Sequence, residues 1–213
     1  MNGLELSASI TRAIADVVKH ADELRDLDAA LGDGDLGITV SLGAKAVIEA
    51  LTELPDTATP TEIARTCAAA FADANPSTMA ALVAGGLLAG SRLWEDKSEV
   101  TVADAAAFVA CAAENIGKRG RSQVGDKTIL DALVPAAQAL GDSPDPGAAL
   151  DAAIAAAEKG VQETVSMQSR RGRASWLQER SIGLQDPGAT ALWYFLRSWK
   201  TSNQLRKQQT QKK

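Results

Sequence analysis

Apolar residues recur every three to four positions along nearly the whole chain, the spacing that gives a helix one buried face. Ile10, Ile14, Val17, Val18 and Leu24 mark such a face over a first helix, from Leu4 to Leu27. Gly, Pro and Asp punctuate the pattern. After the loop LGDGDLG, a second helix is predicted from Ile38 to Leu54, stopping before Pro55. Thr59-Pro60-Thr61-Glu62 reads as a helix start, because proline is tolerated in a first turn whose N–H groups lack partners. That third helix ends at Asn75-Pro76, and Ser77 or Thr78 caps a fourth that reaches Trp94. Thr101 opens a fifth, which dissolves in the basic stretch from Gly117 to Gly125. A sixth is predicted from Thr128 to Gly141, a seventh from Pro146 to Gln168, and an eighth from Pro187 to Lys200.

About eight helices on short turns predict an all-α helix bundle or closed helical barrel, a single domain over residues 1–200. The connection from Ser169 to Asp186 is too long for a plain turn. Its arginines, Trp176, Leu177 and glycines suit a lid. The last residues, Thr201 to Lys213, are polar and basic without apolar periodicity, and read as a frayed or disordered tail.

Composition strengthens the helical reading. Alanine dominates the 46% hydrophobic content and aromatics are 4%, so close helix packing is favoured over sheet. The net charge of −5 argues against a nucleic-acid partner, whose phosphate backbone wants a basic face. Cys67 and Cys111 sit in alanine-rich helical stretches and read as small core residues in a reducing compartment. The single histidine, His20, has no carboxylate or cysteine at ligand spacing and suits a packing role. No apolar run approaches a membrane span and no signal-peptide core is present, which leads to the expectation of a cytoplasmic protein.

The candidate chemistry lies in four segments. Asp28, Asp33 and Asp35 fall within eight residues, interleaved with Gly32, Gly34 and Gly37. Carboxylates that close repel one another unless a hard cation sits between them, and an all-oxygen set points to Mg²⁺, Mn²⁺ or Ca²⁺ rather than zinc. On spacing alone, helix capping explains these aspartates equally well. Gly120-Arg121-Ser122 and Gly125-Asp126-Lys127-Thr128 form a partly basic turn before a helix, either a phosphate-facing start or a plain loop. Asp186-Pro187-Gly188 opens the last helix. Arg173 in the long connection could cover a triphosphate, since guanidinium recognises phosphate in a fork geometry.

Three stretches, LDAALGDGDLGITV, KRGRSQVGDKTILDALVPAA and GRASWLQERSIGLQDPGATAL, occur together in this order. The chain thereby resembles the nucleotide-binding L subunit, or C-terminal domain, of dihydroxyacetone kinases. The resemblance implies a barrel of eight antiparallel helices with the nucleotide at one end. It implies that Asp28, Asp33 and Asp35 hold two Mg²⁺ ions bridging the phosphates of ATP or ADP, with Arg173, Asp33 and Asp35 carrying the transfer. It also implies that Leu36, Gly37, Ile38 and Thr39 line the phosphates with Thr78 and Met79. Gly120 and Ile129 would flank the adenine, while Asp186, Pro187 and Gly188 close the site.

Three departures from the family pattern stand out. Leu36 and Leu184 each replace a histidine, and a Gly-rich GGxSG turn appears as Asn75-Pro76-Ser77-Thr78-Met79-Ala80. Family members hold the ketose, dihydroxyacetone or a relative such as erythrulose, on a histidine of a separate K subunit or domain. This chain has no counterpart, so the resemblance implies a K-like partner. Two alternatives share the fold: ADP kept as a cofactor and rephosphorylated by a phosphotransferase-system phosphocarrier, or a non-catalytic nucleotide-binding module. A homodimer is compatible with the sequence.

Overall fold

Helix starts are written locally. Asn2, Thr59 and Thr101 each accept a first-turn backbone N–H, and Glu5, Glu62 and Asp104 reach back to complete a capping box at each. Ser77 and Asp145 cap in the same way without the reciprocal bond. The structure, a computed structural model, describes residues 1–210 and the side chains of all of these except 203 and 205–210.

The helices are α1 (Gly3–Val17), α2 (Ala21–Leu31), α3 (Leu36–Thr52), α4 (Pro60–Ala74), α5 (Thr78–Ser91), α6 (Val102–Gly120), α7 (Leu130–Gly141), α8 (Pro146–Thr164) and α9 (Pro187–Thr210). Short 3₁₀ turns follow α1 and α5, and a longer one, Arg173–Ser181, lies between α8 and α9. Three boundaries differ from the sequence expectation. The first helix is broken at Val18–His20, where the His20 ring stacks on Tyr194 of α9, centroids 3.9 Å apart. Helix α8 ends at Thr164, ahead of Gln168: the N–H groups of Val165, Ser166 and Met167 bond three residues back, and the Val165 carbonyl accepts the Gly183 N–H at 2.8 Å. Helix α9 continues beyond Lys200 to Thr210 where fraying was expected from Thr201, and residues 211–213 lie outside the described residues.

Counting α1 and α2 as one broken rod, the helices among the described residues make eight rods. Each packs on the next in chain order, and α9 returns against both α8 and α1, closing the ring. The only strand-like pairing among the described residues is an isolated bridge between Asn2 and Glu99. Alanine makes the close packing workable. Ala132, Ala153, Ala157 and Ala189 are fully buried where α7, α8 and α9 meet. At Gly160 of α8 even a methyl group has no room, since a Cβ would overlap the Asp131 carbonyl and lie 2.9 Å from Ala132 Cα. The larger core side chains, including Leu6, Val47, Leu51, Ile63, Trp94 and Phe108, cluster towards the end where α1, α4 and α6 begin.

Up-and-down order then sorts the connections. Residues 53–59, 92–101 and 142–145 turn at that well-capped end. Residues 32–35, 75–77, 121–129 and 165–186 turn at the other. Every candidate segment from the sequence lies at or beside this second end.

Candidate metal centre and its lid

Asp28 sits in the last turn of α2, and Asp33 and Asp35 follow in the connection to α3. Gly34 folds that connection back. Its φ of +75° lies in the left-handed region, and a Cβ there would crowd the Ala29 methyl at 3.1 Å. One carboxylate oxygen from each aspartate consequently lies within 4.8 Å of the others. Asp28 Oδ2 is oriented by accepting the Leu36 N–H at 3.1 Å. Burial, and then the Asp28 charge, raise the Asp35 carboxyl above its ordinary range. Positive charge relieves that repulsion, and the lid supplies some: Arg173 contacts Asp33 and stands 3.9 Å from Asp35. A converging set of oxygens with no His or Cys fits a hard divalent cation.

The neighbouring helix starts complete the end face. Asp35 makes no side-chain cap to α3, whose first residues Leu36, Gly37 and Thr39 are buried while Ile38 is exposed. Thr39 Oγ1 accepts from Asn75 Nδ2 at 2.9 Å, tying α3 to the turn before α5. There Thr78 is exposed, and Met79 packs against the cluster of Leu36, Val40 and Tyr194. Ile129 and Gly188 meet across α7 and α9, where a Cβ on Gly188 would lie 3.5 Å from that of Ile129. Pro187 is buried beside them. Gly120 stands apart, with Ser122 and Leu82 as its near neighbours. A groove of about 620 Å³ between α6 and α7, lined by Gly117, Ser122, Val124, Leu130 and Val134, opens beside it.

Asp186 caps α9 by accepting the Ala189 N–H at 2.7 Å. Burial pushes its carboxyl up to about 7, against the downward pull of that N–H; the Asp131 charge adds to the rise and Lys127 opposes it.

Sequence reasoning missed the residues that hold the lid. The turn Gly125-Asp126-Lys127-Thr128 was open to a phosphate-facing reading, but Lys127 points inward and is 2% exposed. Its ammonium donates to the carbonyls of Ser181 and Leu184, both at 2.5 Å, and of Met167 at 3.1 Å. Asp131 shapes the turn by accepting the Gly125 and Thr128 N–H groups at 2.6 and 2.7 Å. Asp126 accepts from Arg171 Nε at 3.1 Å, and its carbonyl accepts the Arg170 N–H at 3.0 Å. A signal was available in Thr128-x-x-Asp131, a capping pattern that marks a structured helix start. Beyond this anchor the Ser169 N–H donates to Ser181 Oγ, and the lid's 3₁₀ segment carries Trp176, 81% exposed, outward.

Fold and site together define a class: an all-α barrel that gathers carboxylate oxygens beneath an arginine-bearing lid at one end. The chain belongs to the DAK2 domain family, whose model matches residues 30–201. It is 30% identical over 181 residues to the ADP-binding subunit DhaL of the PEP-dependent dihydroxyacetone kinase of Escherichia coli (strain K12), covering 83% of this chain and 86% of that one. It is also 33% identical over 170 residues to the L-erythrulose 1-kinase of Mycolicibacterium smegmatis, covering 78% of this chain but 30% of that longer protein. Among solved structures it resembles the dihydroxyacetone kinase of C. freundii in complex with AMP-PNP and Mg²⁺, with a TM-score of 0.74 and 25% identity. That match covers 93% of this chain and 34% of the other. The resemblance to the L subunit and the all-α fold are thereby borne out. Among the described residues, no helix is long and apolar enough to cross a membrane.

Proposed function

We propose that this chain is the adenine-nucleotide-binding, phosphoryl-donor component of a small-ketose kinase, completed by a separate K-like subunit that holds dihydroxyacetone or a related ketose. The observation that carries this reading is the convergence of Asp28, Asp33 and Asp35 beneath Arg173. Phosphoryl transfer asks a protein mainly for positioning and charge neutralisation, and this end of the barrel offers both. Asp28, Asp33 and Asp35 would hold Mg²⁺, two ions by family resemblance, supplying positive charge against the phosphate oxygens. The start of α3, from Leu36 to Thr39, and Thr78 with Met79 would border the phosphates. Gly120 and Ile129 would border the adenine, and Asp186 to Gly188 would close the far side. Arg173 would exchange its aspartate contacts for phosphate oxygens, which a guanidinium meets with paired N–H groups.

A second reading concerns the donor. The L-type subunits of comparable length in Escherichia coli and Listeria innocua are named as ADP-binding parts of PEP-dependent enzymes. That favours ADP retained as a cofactor and recharged by a phosphotransferase-system phosphocarrier over ATP drawn from solution. Gel filtration followed by challenge with labelled ATP separates the two. ADP that stays bound and refuses exchange supports the cofactor reading, and rapid exchange supports ATP. Calorimetry tests the shared core of both. Mg-ADP or Mg-ATP should bind the wild type, and Asp33→Ala should weaken binding roughly tenfold or more, about 1.4 kcal/mol. Equal binding by wild type and variant would sink the metal assignment, and a wild type that carries no nucleotide after purification and binds none would sink both readings.

A further inference from the structure

Lys127 is a charged side chain held out of water at the base of the lid, and bulk does not explain it. A methionine would fill similar space without the desolvation that an ammonium suffers. The ammonium instead spends its three donors on three carbonyls, those of Met167, Ser181 and Leu184. These acceptors come from both shoulders of the lid, one before the 3₁₀ segment Arg173–Ser181 and two at or after its end. The backbone at Lys127 has a φ of +60°, a region that a side chain of this size rarely adopts. Strain of this kind persists where surrounding contacts impose it. Asp126, one residue earlier, takes the Arg170 N–H and the Arg171 guanidinium. Desolvation lowers the Lys127 pKa, as expected of an ammonium lodged in the fold.

We propose that Lys127 is a positioning residue for the lid, its ammonium drawing both shoulders together so that Arg173 and Asp186 are set over the metal end. The anchors lie close to the residues they place: Arg171 is two positions before Arg173, and Leu184 two before Asp186. Without the ammonium, three inward-facing carbonyls lose their shared donor and the shoulders separate. The consequence for nucleotide rests on the proposed function, whereas the consequence for lid closure does not.

Limited trypsinolysis reads the lid directly, because Arg170, Arg171, Arg173 and Arg180 are all exposed on it. In Lys127→Met, which removes all three bonds, cleavage at these arginines should rise at least roughly tenfold, the change that losing even one charge-assisted hydrogen bond produces. Cleavage elsewhere and the thermal midpoint should change little. The dissociation rate of Mg-ADP should rise in step, and Lys127→Gln, which keeps N–H donors, should recover part of both effects. Unchanged lid cleavage would overturn the proposal. So would cleavage rising evenly along the chain with a collapsed thermal midpoint, or failure of both variants to fold, since Lys127 would then serve the whole fold. A wild type that holds no Mg-ADP would defeat the proposed function, while the cleavage comparison would still decide the role of Lys127.

Discussion

Asp186 accepts a helix-start N–H, an arrangement that ordinarily favours the ionised acid, yet burial raises its carboxyl to about 7. The folded state therefore binds a proton that the unfolded chain has already released. This contribution to stability is complete below the ordinary carboxylate value of 3.8, declines as pH rises, and is gone above about 7. Asp186→Asn keeps an oxygen for the Ala189 N–H and removes the ionisation. Its thermal midpoint should vary less between pH 4 and 7 than that of the wild type, and should equal or exceed it at pH 8. A variant with the wild-type pH slope would refute this account. The sequence made Asp28, Asp33, Asp35 and Arg173 legible because acidic spacing and a basic loop are local patterns. Lys127 was not legible, because its partners lie at least 40 positions away and are backbone carbonyls that any residue could offer.

At the scale of elements, helix starts could be read and interruptions could not. Thr59-Pro60 and Thr101 announce α4 and α6 through caps confined to one turn. The break between α1 and α2 comes where His20 meets Tyr194, and the end of α8 where the Val165 carbonyl meets Gly183, contacts that no window of sequence contains. The α7–α8 pair is tighter than its alanine content alone suggests. Gly160→Ala should destabilise the fold by about 1–3 kcal/mol, because the added methyl meets the α7 backbone instead of a side chain that could swing away. Urea unfolding should show the midpoint falling, with the slope unchanged if only the folded packing is affected.

Across the whole molecule, stability and chemistry occupy opposite ends. Trp94 and Phe108 stack with centroids 4.2 Å apart in the cluster towards the capped end. The aspartates and lid lie where the rods turn back. Phe108→Ala should lower unfolding stability by about 3–5 kcal/mol and still leave the folded fraction with wild-type affinity for Mg-ADP. Weakened binding in that folded fraction would show that the ends are coupled. Eight helical periods on short turns made the all-α architecture legible, bundle or closed barrel alike. The break in the first rod was not legible.

That break has a practical consequence. Tyr194 is the only tyrosine in the chain. Its ring lies against His20 at the break, and its hydroxyl donates to Glu23 at 2.7 Å on α2, the helix that carries Asp28. Burial and the Glu23 contact push the phenol up to about 12, so it stays protonated across ordinary working conditions. Fluorine-labelled tyrosine would therefore give one magnetic resonance from the joint that supports the candidate metal centre. Movement of α2 could then be followed in solution without altering any residue assigned to the site.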